Sequence, residues 1–259
     1  MQTVLFHSTI FGPIKSRRLG HSLGINLMPN DGKLCSFDCL YCEAGFNAQG
    51  TGTSGVPTRN AVKQQLKRRL EELAAAGEPL DSLTFSGNGE PTLHPDFKDI
   101  VSDVVRLRNR YYPQAKVSVL SNATMAGRPK VAEALKTVDN NILKLDSAVA
   151  MTMRTINRPQ SPNVLPEGVI ADLKQFAGQC IVQTMMLRGE WEGKHFDNTT
   201  DAEVEALIKA YREIAPREIM LYSLDRKTPA ENLVKIEHDE LQAIGDRIAA
   251  ATGIPVQVN

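Results

Sequence analysis

Long hydrophobic runs are missing from this sequence of 259 residues. No apolar stretch approaches the roughly 18 residues that suggest a transmembrane helix, so we expect no membrane contact. No secretory leader is recognisable either, which favours a cytoplasmic protein. The hydrophobic share of 42% and the charged share of 23% are those of an ordinary soluble globular chain.

An excess of charge of either sign is also missing, because 30 lysines and arginines are matched by 30 aspartates and glutamates. The chain therefore has no overall positive field that would attract nucleic acid, and only a local patch remains for that purpose. One basic and aromatic cluster contains Arg106, Arg108, Arg110, Tyr111 and Tyr112. Its helical spacing indicates a solvated helix end rather than a surface for nucleic acid.

Cysteine is scarce, and its few copies are unevenly placed. Of four cysteines, three lie in the segment Cys35-Ser-Phe-Asp-Cys39-Leu-Tyr-Cys42, and the fourth is Cys180. This set is too small and too clustered for the disulfide framework of a secreted domain. Unpaired, clustered cysteines favour a reducing compartment instead.

The spacing C-x3-C-x2-C indicates a metal site. Thiolates are the usual ligands of iron–sulfur clusters, and three of them leave one iron of a four-iron cubane open to another ligand. Structural zinc is the alternative, but its usual second C-x2-C pair or histidine pair is absent here. We expect an iron–sulfur cluster, with zinc as the second possibility.

Short apolar runs alternate with longer amphipathic ones along the chain. Buried strands are predicted at 22–27, 82–86, 116–121, 142–146, 181–187 and 218–223, and helices at 60–76, 95–111, 129–137, 166–177 and 201–214. Such alternation is typical of parallel strands joined by right-handed crossovers. We predict an α/β fold, a partial (β/α)6 TIM-like barrel with parallel strands. A doubly wound open sheet is the competing architecture.

The same pattern predicts a single domain over residues 1–259. An N-terminal extension (1–21) precedes the core barrel (about 22–225), and a C-terminal helix and strand follow (226–259). The stretch 45–57 contains four glycines and little apolar content, which indicates a mobile loop. The polar stretch 189–200, with Trp191 and His195, is predicted as a loop that covers the active site.

Polar residues follow the predicted strands where each strand ends. The cysteine segment follows the first strand, and Ser86-Gly-Asn-Gly-Glu-Pro follows the second. Ser121-Asn122, Asp146-Ser147 and Tyr222-Ser223 end later strands. Sites of parallel α/β folds collect at these carboxyl ends. Gly87 and Gly89 suit close approach of the backbone to a ligand, and Glu90 suits a cationic ammonium group.

These residues resemble a known family. The three clustered cysteines with Tyr41 resemble the cluster motif of radical S-adenosylmethionine (SAM) enzymes. The segment 87–90 is similar to the glycine-glycine-glutamate segment of that family. Segments 12–20 and 156–159 resemble the small iron–sulfur oxidoreductases related to wyosine-forming tRNA enzymes. The likeness runs from about residue 12 to 225, and glycyl-radical activating enzymes share the Glu-Pro and Lys144-Leu-Asp146 features.

The resemblance implies a mechanism and a set of site residues. A [4Fe–4S] cluster on Cys35, Cys39 and Cys42 would chelate SAM. Reductive cleavage of SAM would give a 5′-deoxyadenosyl radical that abstracts hydrogen from a substrate. An electron donor such as flavodoxin or ferredoxin is the implied partner. The residues implied around SAM are Gly87, Asn88, Gly89 and Glu90 at the methionine end, Ser121, Asn122 and Asp146 near the ribose, and Tyr41, Gln183, Met185 and Tyr222 as adenosine contacts.

The resemblance leaves the substrate open. A small molecule, a peptide or an RNA base is possible, and activation of a glycyl-radical enzyme is an alternative function. The Asp-Gly-Pro-Gly segment of the activating enzymes is absent, and Cys180 alone follows the cluster motif, which argues against a second cysteine-bound cluster. Cys180 is either a buried inert residue or a hydrogen donor to a substrate radical. Arg17, Arg18 and Arg158 are either surface charge or anchors for an anionic substrate or the SAM carboxylate.

Overall fold

The computed structural model describes residues 4–16 and 18–259, and a parallel sheet forms its centre. The strands are β1 (Ile10–Ser16), β2 (Gly20–Ile25), β3 (Ser82–Phe85), β4 (Lys116–Ser121), β5 (Asn140–Lys144), β6 (Cys180–Met185), β7 (Leu187–Trp191), β8 (Lys194–Asp197), β9 (Glu218–Tyr222), β10 (Leu233–Lys235) and β11 (Val256–Val258). The helices are α1 (Arg59–Ala75), α2 (Phe97–Tyr111), α3 (Pro129–Leu135), α4 (Ala150–Asn157), α5 (Pro166–Leu173), α6 (Asp201–Ile214) and α7 (His238–Thr252).

The main sheet confirms the predicted barrel-like winding. Its strand order is β1-β2-β3-β4-β5-β6-β9-β11, and every neighbouring pair from β2 to β11 is parallel. The six predicted strands therefore lie side by side in chain order. A doubly wound sheet would reverse this order at a switch point, and the strands within residues 4–16 and 18–259 show no such reversal. At the edges, β1 pairs antiparallel with β2, and β11 extends the sheet beyond β9.

The sequence-based prediction missed several elements outside this core. Helix α4 was not predicted, and the predicted loop 189–200 is wrong because it contains most of a β-hairpin, β7 and β8, to which β10 adds a third strand. Glu192 and Gly193 form the turn with φ of 52° and 74°. Two successive positive φ angles are typical of the tight hairpin turn whose twist matches its strands. This turn chemistry was the signal present in the sequence.

Helix burial follows the predicted periodicity. In α1, the buried residues are Val62, Leu66, Leu70 and Leu73, which share one helix face. The Thr58 hydroxyl accepts a hydrogen bond from the Ala61 amide at 3.2 Å and caps the helix, because the first amides of a helix lack intrahelical partners. Helix α1 begins and ends within one residue of its predicted bounds. In the described residues, no helix is long and apolar enough to cross a membrane.

The barrel interior combines an apolar cluster with a polar ladder. Ile142, Ile181 and Met220 pack together with the partly buried Leu19 and Leu120. Hydroxyl groups of three neighbouring strands are hydrogen-bonded in a chain: Ser22 with Thr84 (2.7 Å), Thr84 with Ser82 on the same strand (3.0 Å), and Ser82 with Ser118 (3.0 Å). Buried hydroxyls of this kind are stable because each finds a partner. The interior is therefore partly polar even below the predicted site.

Candidate functional site

The cysteine loop is attached to the end of β3 by backbone pairing. Leu34, which precedes Cys35, donates its amide to the Asn88 carbonyl at 3.0 Å and accepts from the Glu90 amide at 3.0 Å. Gly89 makes this approach possible. Its φ is 146°, and a Cβ there would lie 1.8 Å from the Leu34 carbonyl oxygen. The glycine predicted to face a ligand thus brings the cysteine loop close to the sheet.

Asn88 holds the protein framework with its side chain. It is fully buried, accepts from the Phe6 amide at 2.8 Å, and donates to the carbonyls of Phe6 (2.9 Å) and Pro29 (2.8 Å). A Cβ on Gly87 would lie 2.4 Å from the Asn26 side-chain oxygen, which itself accepts from the Asn88 amide at 3.1 Å. In segment 87–90, the Asn88 side chain is therefore engaged with protein groups.

Glu90 connects the ends of β3 and β4. Its buried carboxylate accepts hydrogen bonds from the Ser121 hydroxyl (2.8 Å), the Asn122 amide (2.7 Å), and the amide and hydroxyl of Thr92. Burial raises the pKa of Glu90 above its ordinary value, and these hydrogen bonds oppose the rise. The carboxylate predicted to receive an ammonium group thus orients the loop after β4.

That loop reaches the cysteines. The side-chain nitrogen of Asn122, Nδ2, lies 3.5 Å from Cys35 Sγ and 2.9 Å from the Ser36 hydroxyl. On the other side, the Asn157 amide nitrogen lies 3.5 Å from Cys39 Sγ. Hydrogen bonds to sulfur are one of the means by which proteins adjust an iron–sulfur cluster. Two of the three cysteines therefore have a side-chain donor in place.

The three clustered cysteines are free thiols that are largely shielded from solvent. Cys39 is buried, and Cys35 and Cys42 are partly buried. Burial raises the pKa of the Cys39 thiol to about 11, and burial also raises the pKa of Cys35, because a low-dielectric site disfavours the thiolate. Among the described residues, no three ligand side chains already converge on the position of one metal ion.

A buried lysine faces the three cysteines and was missed by the sequence reasoning. The Lys33 ammonium donates to the Gly45 carbonyl at 2.7 Å and lies 3.3 Å from Asp38. Burial lowers its pKa, but Cys42, Cys35, Cys39 and Asp38 together raise it above the ordinary value. Lys33 thus places a positive charge beside the thiols. Its only sequence signal was its position two residues before Cys35.

Asp146 forms a second buried junction, at the end of β5. Its carboxylate accepts hydrogen bonds from the Tyr41 hydroxyl, the Asn157 amide nitrogen (2.6 Å) and the Met185 amide (2.9 Å). The Lys144 ammonium lies 3.6 Å away. Asp146 therefore joins the cysteine loop, α4 and the end of β6.

Lys144 extends this junction to β9 and was also missed as a site residue. Burial lowers its pKa, but Asp146 and then Tyr222 raise it above the ordinary value. Its ammonium donates to the Tyr222 hydroxyl at 2.6 Å and lies 5.1 Å from the ring centres of both Tyr41 and Tyr222. Its signal was the two-residue spacing to Asp146, which places both side chains on one face of β5.

The structure brings most of the predicted site residues together at the carboxyl ends of the strands. Gln183, Met185 and Tyr222 point to the interior cavities there. Cys180 is not among them, because it starts β6 at the amino end and is fully buried. Its predicted role as a hydrogen donor therefore lacks spatial support. Arg17 lies outside the described residues.

Arg158 and Trp191 lie beside the cysteine loop. The Arg158 guanidinium is 3.3 Å from Asp38 and stacks between Phe46 and Trp191, with 5.0 Å to each ring centre. Stacking of this kind suits the planar guanidinium. Arg158 therefore packs against the loop that follows the cysteines, and the hairpin residue Trp191 contacts that loop through the Phe46 ring, with 5.5 Å between ring centres.

The donor set fits an iron–sulfur cluster. Three free thiols come from one loop, one buried ammonium stands beside them, and two side-chain amides point to sulfur. Cluster thiolates carry negative charge, so a neighbouring cation and amide donors favour them.

Comparison with known proteins agrees with this geometry. Residues 30–162 match the model of the Radical SAM superfamily, which is more than half of the chain. The chain therefore belongs to the Radical SAM superfamily. Its cofactors are accordingly a [4Fe–4S] cluster and SAM, and enzymes of this family generally need an electron donor.

Several curated proteins are similar over most of the chain. A UPF0026 protein of Synechocystis sp. is 29% identical, and the match covers 96% of this chain and 95% of that protein. A UPF0026 protein of Helicobacter pylori is 26% identical, covering 90% of this chain and 71% of that protein.

Solved structures share the fold at low identity. A radical SAM methyltransferase from Sphaerobacter thermophilus superposes with a TM-score of 0.66 at 17% identity, covering 92% of this chain and 65% of that chain. TYW1 with a lysine-pyruvate adduct bound gives 0.60 at 15% identity, covering 88% and 73%. The family match confirms the predicted resemblance to radical SAM enzymes, and these structures share the fold.

Proposed function

We propose that this protein is a radical SAM enzyme that abstracts hydrogen from a substrate through a 5′-deoxyadenosyl radical. The observation that supports this best is the pairing of Leu34 with Gly89, which sets the C-x3-C-x2-C loop at the carboxyl ends of the parallel strands. In parallel α/β folds that edge carries the site.

Cys35, Cys39 and Cys42 are the proposed ligands of the cluster. When bound, the cluster supplies the electron for reductive cleavage of SAM into methionine and the 5′-deoxyadenosyl radical. Lys33 offsets the charge of the three thiolates, and Asn122 and Asn157 donate to two of the sulfurs. Because each of these groups is buried or partly buried, they also exclude water from the thiolates.

SAM is proposed to lie across the mouth between the cysteine loop and the strand ends. A cavity of about 330 Å³ is lined by Tyr41, Met185 and Tyr222, and we assign the adenosine end to it. The methionine end would then meet the backbone of 87–90, since the Asn88 and Glu90 side chains are already hydrogen-bonded within the protein. Asp146 acts by orienting Tyr41 at the same mouth.

Residues 1–259 would act as a single domain, because both β1 and β11 continue the core sheet. Flavodoxin or ferredoxin is the proposed class of electron donor. The four free cysteines favour a reducing compartment.

Anaerobic reconstitution of the whole chain tests the proposal. We expect about four irons per protein, a reducible cluster and release of 5′-deoxyadenosine with SAM and a strong reductant. Cys39→Ala should lose both the cluster and the release, because a cubane cannot be held by two thiolates at this site. Cys180→Ala is the matched control, since it removes a buried thiol at the other end of β6, and it should keep both.

Two results would contradict the proposal. One is a Cys39→Ala variant that still forms the cluster and cleaves SAM. The other is a wild-type protein that, isolated without oxygen, holds one zinc and no iron, which is the outcome expected of a zinc-stabilised binding module.

A further inference from the structure

A second cavity, of about 260 Å³, lies inside the barrel and adjoins the mouth. Inward-facing residues of the parallel strands line it, and the turn between β1 and β2 contributes Arg18 and Leu19. The two cavities share Arg18, Asp225 and Arg226, so they are neighbours. A ligand in the inner cavity would therefore lie next to a cofactor bound at the mouth.

Arg18 extends through the barrel toward this junction. The turn that carries it lies at the amino ends of the strands, where Gly20 packs against Asp81. Its guanidinium nevertheless stacks on Tyr222, the last residue of β9, at 4.9 Å from the ring centre. One guanidinium nitrogen, Nη1, is shut off from solvent and has no hydrogen-bond partner among the described residues. A buried charged donor without an acceptor is costly, so this nitrogen calls for an anionic partner.

Two further polar groups line the cavity without a hydrogen bond to any residue that the structure describes. Gln183 is 7% exposed, and its side-chain amide has no hydrogen bond to any described residue. The Ser86 hydroxyl, at the end of β3, also lines the cavity. Neighbouring hydroxyls differ, because Ser22 and Thr84 satisfy each other at 2.7 Å. The Gln183 amide and the Ser86 hydroxyl face the cavity, so they are available to hydrogen-bond a polar ligand there.

Lys15, Asp225 and Arg226 also line the cavity, and the apolar part of the wall limits the size of the ligand. Leu120, Ile142 and Met220 form this part. The volume is slightly below the roughly 300–1,000 Å³ of pockets for drug-sized ligands. Phe11 covers Gly24 so closely that a Cβ there would lie 2.1 Å from its ring. The cavity therefore suits a small molecule with one charged end and a short aliphatic body.

We propose that the inner cavity binds a small organic acid as the substrate. Arg18 takes the carboxylate, Gln183 and Ser86 hydrogen-bond to it or to a neighbouring polar group, and the apolar wall holds the carbon chain. This proposal rests on the proposed function, because it assigns the substrate of the same site. It excludes an RNA base or a protein segment as the group held in this cavity.

Thermal unfolding of the reconstituted protein with SAM tests the proposal without turnover. The probes are straight-chain carboxylates from acetate to hexanoate, each compared with its primary amide of the same shape. At ten times its Kd, a carboxylate should raise Tm by about 3–6 °C, and the matching amide should not. Arg18→Gln should lose this rise. Arg110→Gln should keep it, because Arg110 also stacks on a tyrosine but lies at the end of α2.

Each other outcome overturns the proposal. These are protection by none of the carboxylates, equal protection by acids and amides, or protection by a tRNA while all acids are inert. Loss of SAM affinity in Arg18→Gln with acid binding intact would place Arg18 on the cofactor instead. If Arg18→Gln does not fold, Arg18→Lys is measured in its place. It should weaken binding of the carboxylate about ten-fold, because lysine keeps the positive charge but lacks the planar guanidinium that donates two parallel hydrogen bonds. Iron content and 5′-deoxyadenosine release are measured separately, so a failure of the radical SAM assignment is distinguishable.

Discussion

Replacement of Gly89 by alanine should break the attachment of the cysteine loop. The new Cβ would lie 1.8 Å from the Leu34 carbonyl oxygen and 2.5 Å from its carbon, and both are backbone atoms that cannot rotate away. The loop must therefore move, and two backbone hydrogen bonds between Leu34 and segment 88–90 are lost.

The magnitude follows from two terms. Each lost hydrogen bond costs about 0.5–1.5 kcal/mol, and a residue held at an unfavourable positive φ costs about 1–3 kcal/mol. The free energy of unfolding should therefore fall by about 2–6 kcal/mol, with a midpoint of about 4 kcal/mol. For a chain of this size, that corresponds to a drop in Tm of about 8–16 °C. Iron retention should fall as well, because Cys35 follows the displaced residue.

Gly77→Ala is the control that distinguishes backbone strain at a positive φ from displacement of the cysteine loop. Gly77 also has a positive φ, of 66°, but a Cβ there meets nothing within 4 Å. It should cost only about 1 kcal/mol and leave the iron content unchanged. The assays are urea unfolding and iron content after anaerobic reconstitution. The reasoning is refuted if Gly89→Ala matches Gly77→Ala in both.

Two further predictions concern buried and exposed carboxylates. Asp146→Asn should lower the free energy of unfolding in urea by about 3–5 kcal/mol, because it leaves the Lys144 ammonium without its buried counter-charge. The control Asp201→Asn, at an exposed ion pair with Arg247, should lower it by less than about 1 kcal/mol. Equal losses in the two variants would contradict the role of burial. The pKa of Asp31 lies below its ordinary value of 3.8 because the Ser54 hydroxyl, and then the Thr53 amide, donate to it. A carboxylate with a depressed pKa stabilises the folded loop above pH 3.8 and loses this effect as the pH falls through the folded pKa. The amide proton shifts of Thr53 and Ser54 should therefore titrate only below that pH, and a titration midpoint above it would contradict the assignment.

The predicted elements that the structure confirmed share strong local signals. The leucines of α1 recur at helical spacing, and the parallel strands β2 to β6 and β9 are short apolar runs between helices. Their positions in chain order follow from right-handed crossovers. The hairpin of β7 and β8 was missed because its residues are polar and half-exposed, so neither face has a clear apolar pattern.

At the site, residue types and spacing indicate which side chains can bind metal or ligand, whereas the contacts of each side chain depend on the folded chain. The cysteine spacing is local and readable, because all three ligands come from one loop. The partners of Glu90 and Asn88 lie on segments 31–82 residues away, and no spacing rule connects them.

The contacts of Arg18 and Lys144, unlike the spacing of the cysteines, cannot be read from the sequence either. Their roles depend on where Tyr222 meets them across the barrel, and burial and charge partners are properties of the folded chain alone. The sequence therefore determined the cluster motif and the α/β class. Only the folded barrel decided that segment 87–90 holds the cysteine loop and that a small polar cavity lies beside it.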